Sequence, residues 1–106
     1  MEKALGLLLD AARRRQGFAA IAVADESGLL VAGSGHFGQC EELAAYAPLA
    51  AQPRARAHQR REVQSLSVDG INVLVTGLDA REPGLEAVVD GCRRILGRRR
   101  PALATA

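Results

Sequence analysis

The sequence is poor in aromatic residues. Its 106 residues include no tryptophan, one tyrosine and two phenylalanines, so that aromatics make up 3% of the chain. The apolar share is nevertheless 48%, and the core must therefore be built mainly from alanine, leucine and valine. Each such side chain buries little surface, at about 0.8 kcal/mol for every CH₂ group removed from water. A core of this kind benefits from further burial against a second subunit.

Cysteine is also scarce. Cys40 and Cys92 are too few for a disulfide framework and too far apart for a metal-ligand pattern. We therefore expect reduced structural thiols, no metal and no cofactor. The N-terminal segment is interrupted by Asp10 and three arginines, so it lacks the apolar run of a signal peptide or a membrane span. These features predict a cytoplasmic protein.

The chain lacks a large charge of either sign. It has 14 basic and 12 acidic residues and a formal net charge of +2, so composition does not demand an electrostatic partner. Apart from the run at 13–15 in the first predicted helix, arginines are concentrated in residues 54–61 and 98–100. Since no aromatic residue accompanies them for base stacking, nucleic-acid binding is disfavoured. An acidic protein could use the same side chains, and the candidate partner-binding residues are Arg54, Arg56, Arg60 and Arg61.

Apolar periodicity predicts three helices. The first covers residues 2–15, the second runs from about Cys40 to Ala51, and the third follows an apolar stripe from Leu85 to Leu96. Pro48 lacks a backbone donor and clashes with the preceding turn, so we expect the second helix to kink or to end near Ala47.

The remaining apolar segments predict two hairpins. Residues 18–24 form an unbroken apolar run, typical of a central strand covered on both faces, and residues 29–32 return after a turn. The glycine-rich residues 33–38 are expected to form a loop. Asp69-Gly70 is a strong hairpin signal between a strand that begins at Val63 and a strand at 71–78.

The length allows one core and therefore one domain, assigned to residues 1–100. Residues 52–61 are polar, contain Pro53 and are predicted to form an exposed connection. Residues 101–106 show no pattern and are predicted to be a disordered tail. The predicted order of elements is α-β-β-α-β-β-α.

Three stretches carry a resemblance to a known family: GFAAIAVADESGLLVAGSG at residues 17–35, EELAAYA at 41–47, and VLVTGLD at 73–79 followed by Gly84-Leu85-Glu86. They resemble the Roadblock/dynein-light-chain family in a shortened, bacterial MglB-like form. The resemblance implies an α/β fold of the α+β sandwich type, with flanking helices on an antiparallel, profilin-like sheet of four to five strands.

The number of strands is left open by the resemblance. The family usually places three strands after the middle helix, whereas residues 62–78 contain one convincing hairpin. Either the sheet has four strands, or a fifth edge strand lies in the arginine-rich stretch before Val63.

The resemblance also implies a function. Proteins of this family are non-catalytic dimeric scaffolds or regulators, so we expect a homodimer, or a heterodimer with a sister Roadblock-like protein, that binds a small Ras-like GTPase. Dimerisation is expected through the middle helix and an edge strand. The expected interface residues are Leu43, Tyr46, Ala47, Ala51 and Leu66. Richness in alanine and arginine is typical of a GC-rich bacterial genome.

Other function classes have weaker support in the sequence. His36, Cys40 and Glu41 are close in sequence, but no CxxC motif follows to complete a zinc site, so a loop histidine and a helix-facing thiol are favoured. Residues 33–38 lack the Gly-Lys-Ser/Thr ending of a phosphate-binding loop. The alternative function is a small-molecule sensor of PAS or GAF type, since such folds also combine an antiparallel sheet with helices.

Overall fold

The computed structural model of the protein describes residues 2–50 and 61–97. Within these residues the chain forms, in order, α1 (Glu2–Gln16), β1 (Ala20–Asp25), β2 (Leu30–Gly35), α2 (Phe37–Ala50), β3 (Arg61–Val68), β4 (Ile71–Leu78) and α3 (Glu86–Gly97). This confirms the order predicted from the sequence. No helix in the described ranges combines the length and apolar character needed to cross a membrane.

The four strands form one antiparallel sheet in the order β2-β1-β4-β3. The apolar strand β1 lies in its interior, paired with β2 on one side and with β4 on the other. Ala22, for example, is opposite Gly33 of β2 and Thr76 of β4. The prediction of a central strand covered on both faces is therefore confirmed.

The two faces of the sheet are covered unequally. Helices α1 and α3 pack on the face that presents Ile21, Val23, Val75 and the inward side chains of β3, and together they form the main core. Of the described elements, only helix α2 packs on the opposite face. There the residues of β1 beneath it are all alanines: Ala20, Ala22 and Ala24.

The β3–β4 turn follows directly from its sequence. Asp69 and Gly70 both have positive φ angles, 52° and 82°, as a type I′ turn requires at its two central residues. The turn aligns Val68 with Ile71 and fixes the register in which Leu66 is opposite Val73. Because side chains alternate along a strand, this register sends Leu66 and Val68 into the main core and leaves Ser65 and Ser67 on the α2 side.

Strand β2 extends further than predicted. The sequence predicted a strand at 29–32 and a loop at 33–38, but residues 33–35 continue β2, with Gly35 opposite Ala20. Pairing with β1 outweighs the low strand propensity of glycine. Only His36 then separates β2 from α2.

Helix α2 also differs from its predicted bounds. It begins at Phe37, ahead of Cys40, and it continues through Pro48 to Ala50. Proline removes one backbone hydrogen bond, but Pro48 lies in the last turn. Burial of Cys40, Leu43, Ala44 and Ala47 against the sheet holds this helix in place up to that turn.

Several predictions concern residues outside the described ranges. Ala51, the proposed fifth strand before Val63, most of the arginine-rich segment and the C-terminal tail belong to residues 51–60 and 98–106. Arg61 is described, and it corrects one prediction. It is the first residue of β3, opposite Leu78, rather than the end of an exposed connection.

Candidate interaction surface on helix α2 and strand β3

Helix α2 carries large hydrophobic side chains on its outer side. Phe37 is 66% exposed, Tyr46 is 49% exposed and Leu49 is 57% exposed. The inner side of the same helix is also apolar and fully buried. The helix is therefore apolar on both sides, which is typical of a helix with a second packing partner.

Strand β3 borders this side of the molecule as an edge strand. In the described part of the chain it pairs with β4 alone. Its side chains on the α2 side are Val63, Ser65 and Ser67; Val63 is half-buried, and the two serines are exposed. We call Tyr46, Leu49, Val63, Ser65 and Ser67 the α2–β3 surface. It combines exposed apolar side chains with an open strand edge.

Arg61 connects the two elements of this surface. Its guanidinium carbon lies 5.1 Å from the centre of the Tyr46 ring, within the range of a cation–π interaction. One of its nitrogens lies 3.6 Å from a carboxylate oxygen of Glu42, one turn before Tyr46. The ion pair is exposed on the Glu42 side, so it contributes little to stability. Its effect is to fix the orientation of the Tyr46 ring.

A groove of about 370 Å³ lies beside this surface. Pro48 of α2 forms one wall, and β3 and β4 form the floor. The groove is lined by Glu26, Pro48, Ser65, Leu66, Ser67, Asn72, Val73 and Leu74. The amide of Asn72 donates a hydrogen bond of 2.8 Å to the exposed carboxylate of Glu26. The groove thus offers an acidic group and two hydroxyls beside Leu74, whereas the side chains of Leu66 and Val73 belong to the main core on the other face of the sheet.

The interface residues expected from the sequence occupy different environments. Tyr46 is exposed on the outer side of α2. Leu43 and Ala47 are buried between α2 and the sheet, and Leu66 is buried in the main core on the other face. The dimer interface itself stays a prediction. Of the members of that set that the structure describes, Tyr46 is the one with an exposed side chain.

The sequence analysis missed Leu49 and the groove at Glu26. The spacing of Cys40, Leu43, Ala44 and Ala47 could have indicated that Leu49 is exposed, since these four positions share one helical face and leave Leu49 on another. Glu26 had no comparable signal, because it was assigned only to a turn.

The residues considered for chemistry do not assemble into a site. The Cys40 Sγ lies 3.5 Å from the carbonyl oxygen of Ser34 and 3.8 Å from that of Ile21, as a thiol donor. Burial raises its pKa, which disfavours the reactive thiolate. His36 is exposed at the start of α2. Among residues 2–50 and 61–97, no three His, Cys, Asp or Glu side chains form a group that could hold a metal ion.

An antiparallel β2-β1-β4-β3 sheet between α2 on one face and α1 with α3 on the other defines a Roadblock-like fold. Among solved structures, the chain is similar to Myxococcus xanthus MglB, with a TM-score of 0.59 and 15% sequence identity over 89% of this chain and 88% of MglB. No protein-family profile matches the sequence, and no curated protein matches it. At this identity the similarity establishes the fold alone, and it confirms the fold class that the sequence predicted.

Proposed function

We propose that this protein is a non-catalytic, dimeric scaffold or regulator that binds a small Ras-like GTPase. The α2–β3 surface forms the dimer, either with a second copy or with a sister Roadblock-like protein. The assembled dimer then binds the GTPase. The observation that carries the proposal is the exposure of Tyr46, which stacks on Arg61 at the start of β3, together with the exposure of Leu49 on the same helix.

Physical arguments favour this surface as a protein interface. Tyrosine and arginine are enriched among the residues that dominate binding energy, and here Tyr46 and Arg61 are stacked on one another. Among the described residues β3 pairs with β4 alone, and a second strand could satisfy the backbone groups along its other edge.

The non-catalytic part of the proposal is supported by the environment of the candidate nucleophile. Cys40 is buried, its thiol faces backbone carbonyls, and its pKa is raised. The GTPase part is supported by the Roadblock-like fold and by the family resemblance of the sequence. Arg54, Arg56 and Arg60 remain candidate residues for binding that partner.

The dimer is tested by size-exclusion chromatography with light scattering on the wild-type protein and on Tyr46→Glu combined with Leu49→Glu. Charges at these exposed positions leave the core intact and oppose burial in an interface. The matched control is Leu7→Glu, because Leu7 lies on α1 and is 62% exposed. We expect a dimeric wild type and control and a monomeric double variant. Ala47→Glu is unsuitable, because it would place a charge in the core.

Two results would count against the proposed dimer. One is a monomeric wild type at all concentrations. The other is a folded double variant that dimerises as well as Leu7→Glu, which would place the interface elsewhere. A monomer that shows a saturable thermal shift with a metabolite would instead favour the small-molecule sensor.

GTPase binding is tested by purifying the tagged protein from its own cells and then reconstituting any small GTPase recovered. Binding is measured by calorimetry with the GTPase loaded with GDP or with a non-hydrolysable GTP analogue. We expect binding by the dimer to depend on the nucleotide and to be lost in the monomeric double variant. Equal binding by the monomeric variant would separate GTPase recognition from dimerisation.

A further inference from the structure

Tyr46 is held by its own chain although its ring is exposed. The guanidinium carbon of Arg61 lies over the ring, 5.1 Å from its centre, within the range of a cation–π interaction. The tyrosine is still 49% exposed. Arg61 therefore covers one face of the ring and leaves the rest of it accessible to a partner.

Arg61 is held in turn by Glu42. One of its nitrogens lies 3.6 Å from a carboxylate oxygen of Glu42, and the arginine side chain is only 22% exposed. Glu42 and Tyr46 are four residues apart on α2, so they lie on neighbouring turns of one helix face. Arg61, on β3, contacts both of them. The contact with Glu42 thus fixes the guanidinium, and the guanidinium fixes the ring.

The arrangement affects binding more than folding. The side chain of Glu42 is 58% exposed, and exposed ion pairs contribute little to the stability of a fold. Association, by contrast, costs free energy for every side chain that becomes ordered in the interface. Tyrosines are among the residues that dominate binding energy. A tyrosine ring that is already ordered in the free chain binds without that cost.

We propose that Arg61 and Glu42 are positioning residues of the dimer interface. Arg61 orients the ring of Tyr46 for contact with a second copy of this chain, and Glu42 keeps Arg61 in place. The inference rests on the dimer proposed above, and it identifies side chains that set the affinity from behind the contacting ring. A two-fold symmetric dimer contains the arrangement twice, so its loss weakens both halves of the interface.

Two substitutions of Arg61 test the role of the cation. Arg61→Gln keeps a polar side chain at the start of β3 but removes the charge that faces the ring and Glu42. We expect the Kd of the dimer, measured by analytical ultracentrifugation, to rise about fivefold or more. Arg61→Lys keeps a cation that can lie over the ring, so its Kd should stay within about threefold of wild type.

Glu42→Gln tests the second positioning residue. It removes the ion-pair partner of Arg61 but leaves the stacking on Tyr46, so Kd should rise by a smaller factor than in Arg61→Gln. The matched control is Glu41→Gln, which removes the same charge from a neighbouring exposed position on α2 and should leave Kd unchanged. Both substitutions change exposed side chains and should fold even if Arg61→Gln does not; circular dichroism monitors all variants.

A double-mutant cycle shows whether Arg61 acts through Tyr46. Tyr46→Leu keeps an apolar side chain at this position but removes the ring. In that background Arg61→Gln should change Kd by less than about twofold, because no ring is left to orient. An equal rise in Kd in both backgrounds would show that Arg61 acts independently of Tyr46 and would overturn the inference.

Fluorescence measures the order of the ring directly. Tyr46 is the one tyrosine in a chain without tryptophan, so the intrinsic emission comes from its ring. Time-resolved anisotropy at protein concentrations below Kd should show faster ring motion in Arg61→Gln than in wild type and Glu41→Gln. Unchanged ring motion, or an unchanged Kd in Arg61→Gln, would overturn the positioning role and leave the dimer intact. A monomeric wild type would overturn both.

Discussion

The ring of Phe18 packs directly against the backbone of Gly77. A Cβ placed on Gly77 would lie 2.7 Å from Cδ1 of Phe18, closer than carbon atoms approach without repulsion. Phe18 is itself buried in the main core, and Gly77 is opposite Ile21 in the interior of the sheet. The absence of a side chain at Gly77 therefore makes room for one of the few aromatic rings in the chain.

Gly77→Ala is expected to destabilise the protein by about 1–3 kcal/mol through overpacking. Gly6→Ala is the matched control, since it lies in α1 with no neighbouring atom within 4 Å of the added Cβ. Alanine there should stabilise the helix by up to about 1 kcal/mol. Urea unfolding followed by circular dichroism measures both. Equal changes in the two variants would contradict the close packing at Phe18.

Ser34 is expected to be more important for stability than other serines. Its buried hydroxyl donates to the Asp10 carboxylate and accepts a 2.7 Å hydrogen bond from Nε of Arg13, which connects β2 to α1. Ser34→Ala leaves both α1 groups without this partner and should lower the free energy of unfolding by about 1–3 kcal/mol. Ser27→Ala removes one solvent-exposed hydrogen bond to Asp25 and should cost less, about 0.5–1 kcal/mol. Urea unfolding of both variants measures the two changes in the free energy of unfolding, and equal changes would contradict the role of Ser34.

The buried thiols should make stability depend on alkaline pH. Burial raises the pKa of Cys92 to about 11 from its ordinary value of 9.0. The thiol therefore ionises at a lower pH in the unfolded state than in the folded state. Its contribution to the free energy of unfolding is complete below pH 9.0 and is lost as the pH rises to about 11. Relative to Cys92→Ala, the wild type should lose up to about 2.7 kcal/mol over this range. A constant difference between the two proteins would refute the assignment.

The β1–β2 turn should weaken in acid. The backbone N–H of Leu29, followed by the hydroxyl of Ser27, lowers the pKa of Asp25 below its ordinary value of 3.8. A carboxyl group whose pKa is lowered by folding stabilises the protein above its unfolded pKa and loses that effect as the pH falls through the folded pKa. Asp25→Asn should therefore be less stable than wild type at pH 7, and the difference should shrink below pH 3.8. Thermal unfolding at a series of pH values measures it.

Much of the fold could be predicted from the sequence because its signals are local. The apolar run at 18–24 predicted the central strand, and Asp69-Gly70 predicted the β3–β4 turn. The element bounds were less accurate where partners distant in sequence decide them. Residues 33–35 form a strand because β1 pairs with them, and α2 passes Pro48 because its inner side is packed on the sheet.

The candidate site could be predicted only in part. The sequence indicated α2 and an edge strand, but large apolar residues lie on both sides of α2, so the shared face of Leu43 and Ala47 did not show whether it packs on the sheet or on a partner. Leu43 and Ala47 face inwards, while Tyr46 and Leu49 face outwards. The contact between Tyr46 and Arg61 depends on the tertiary arrangement of two elements and has no local signal.

The alanines of β1 beneath α2 act as a spacer whose thickness sets the height of that helix above the sheet. Tyr46 and Leu49 are part of α2, so the alanines beneath the helix determine how far these two side chains stand above the sheet. A larger residue at Ala22 would raise the helix and with it half of the α2–β3 surface. In the proposed dimer, substitutions at these buried alanines would therefore change the affinity without being part of the interface.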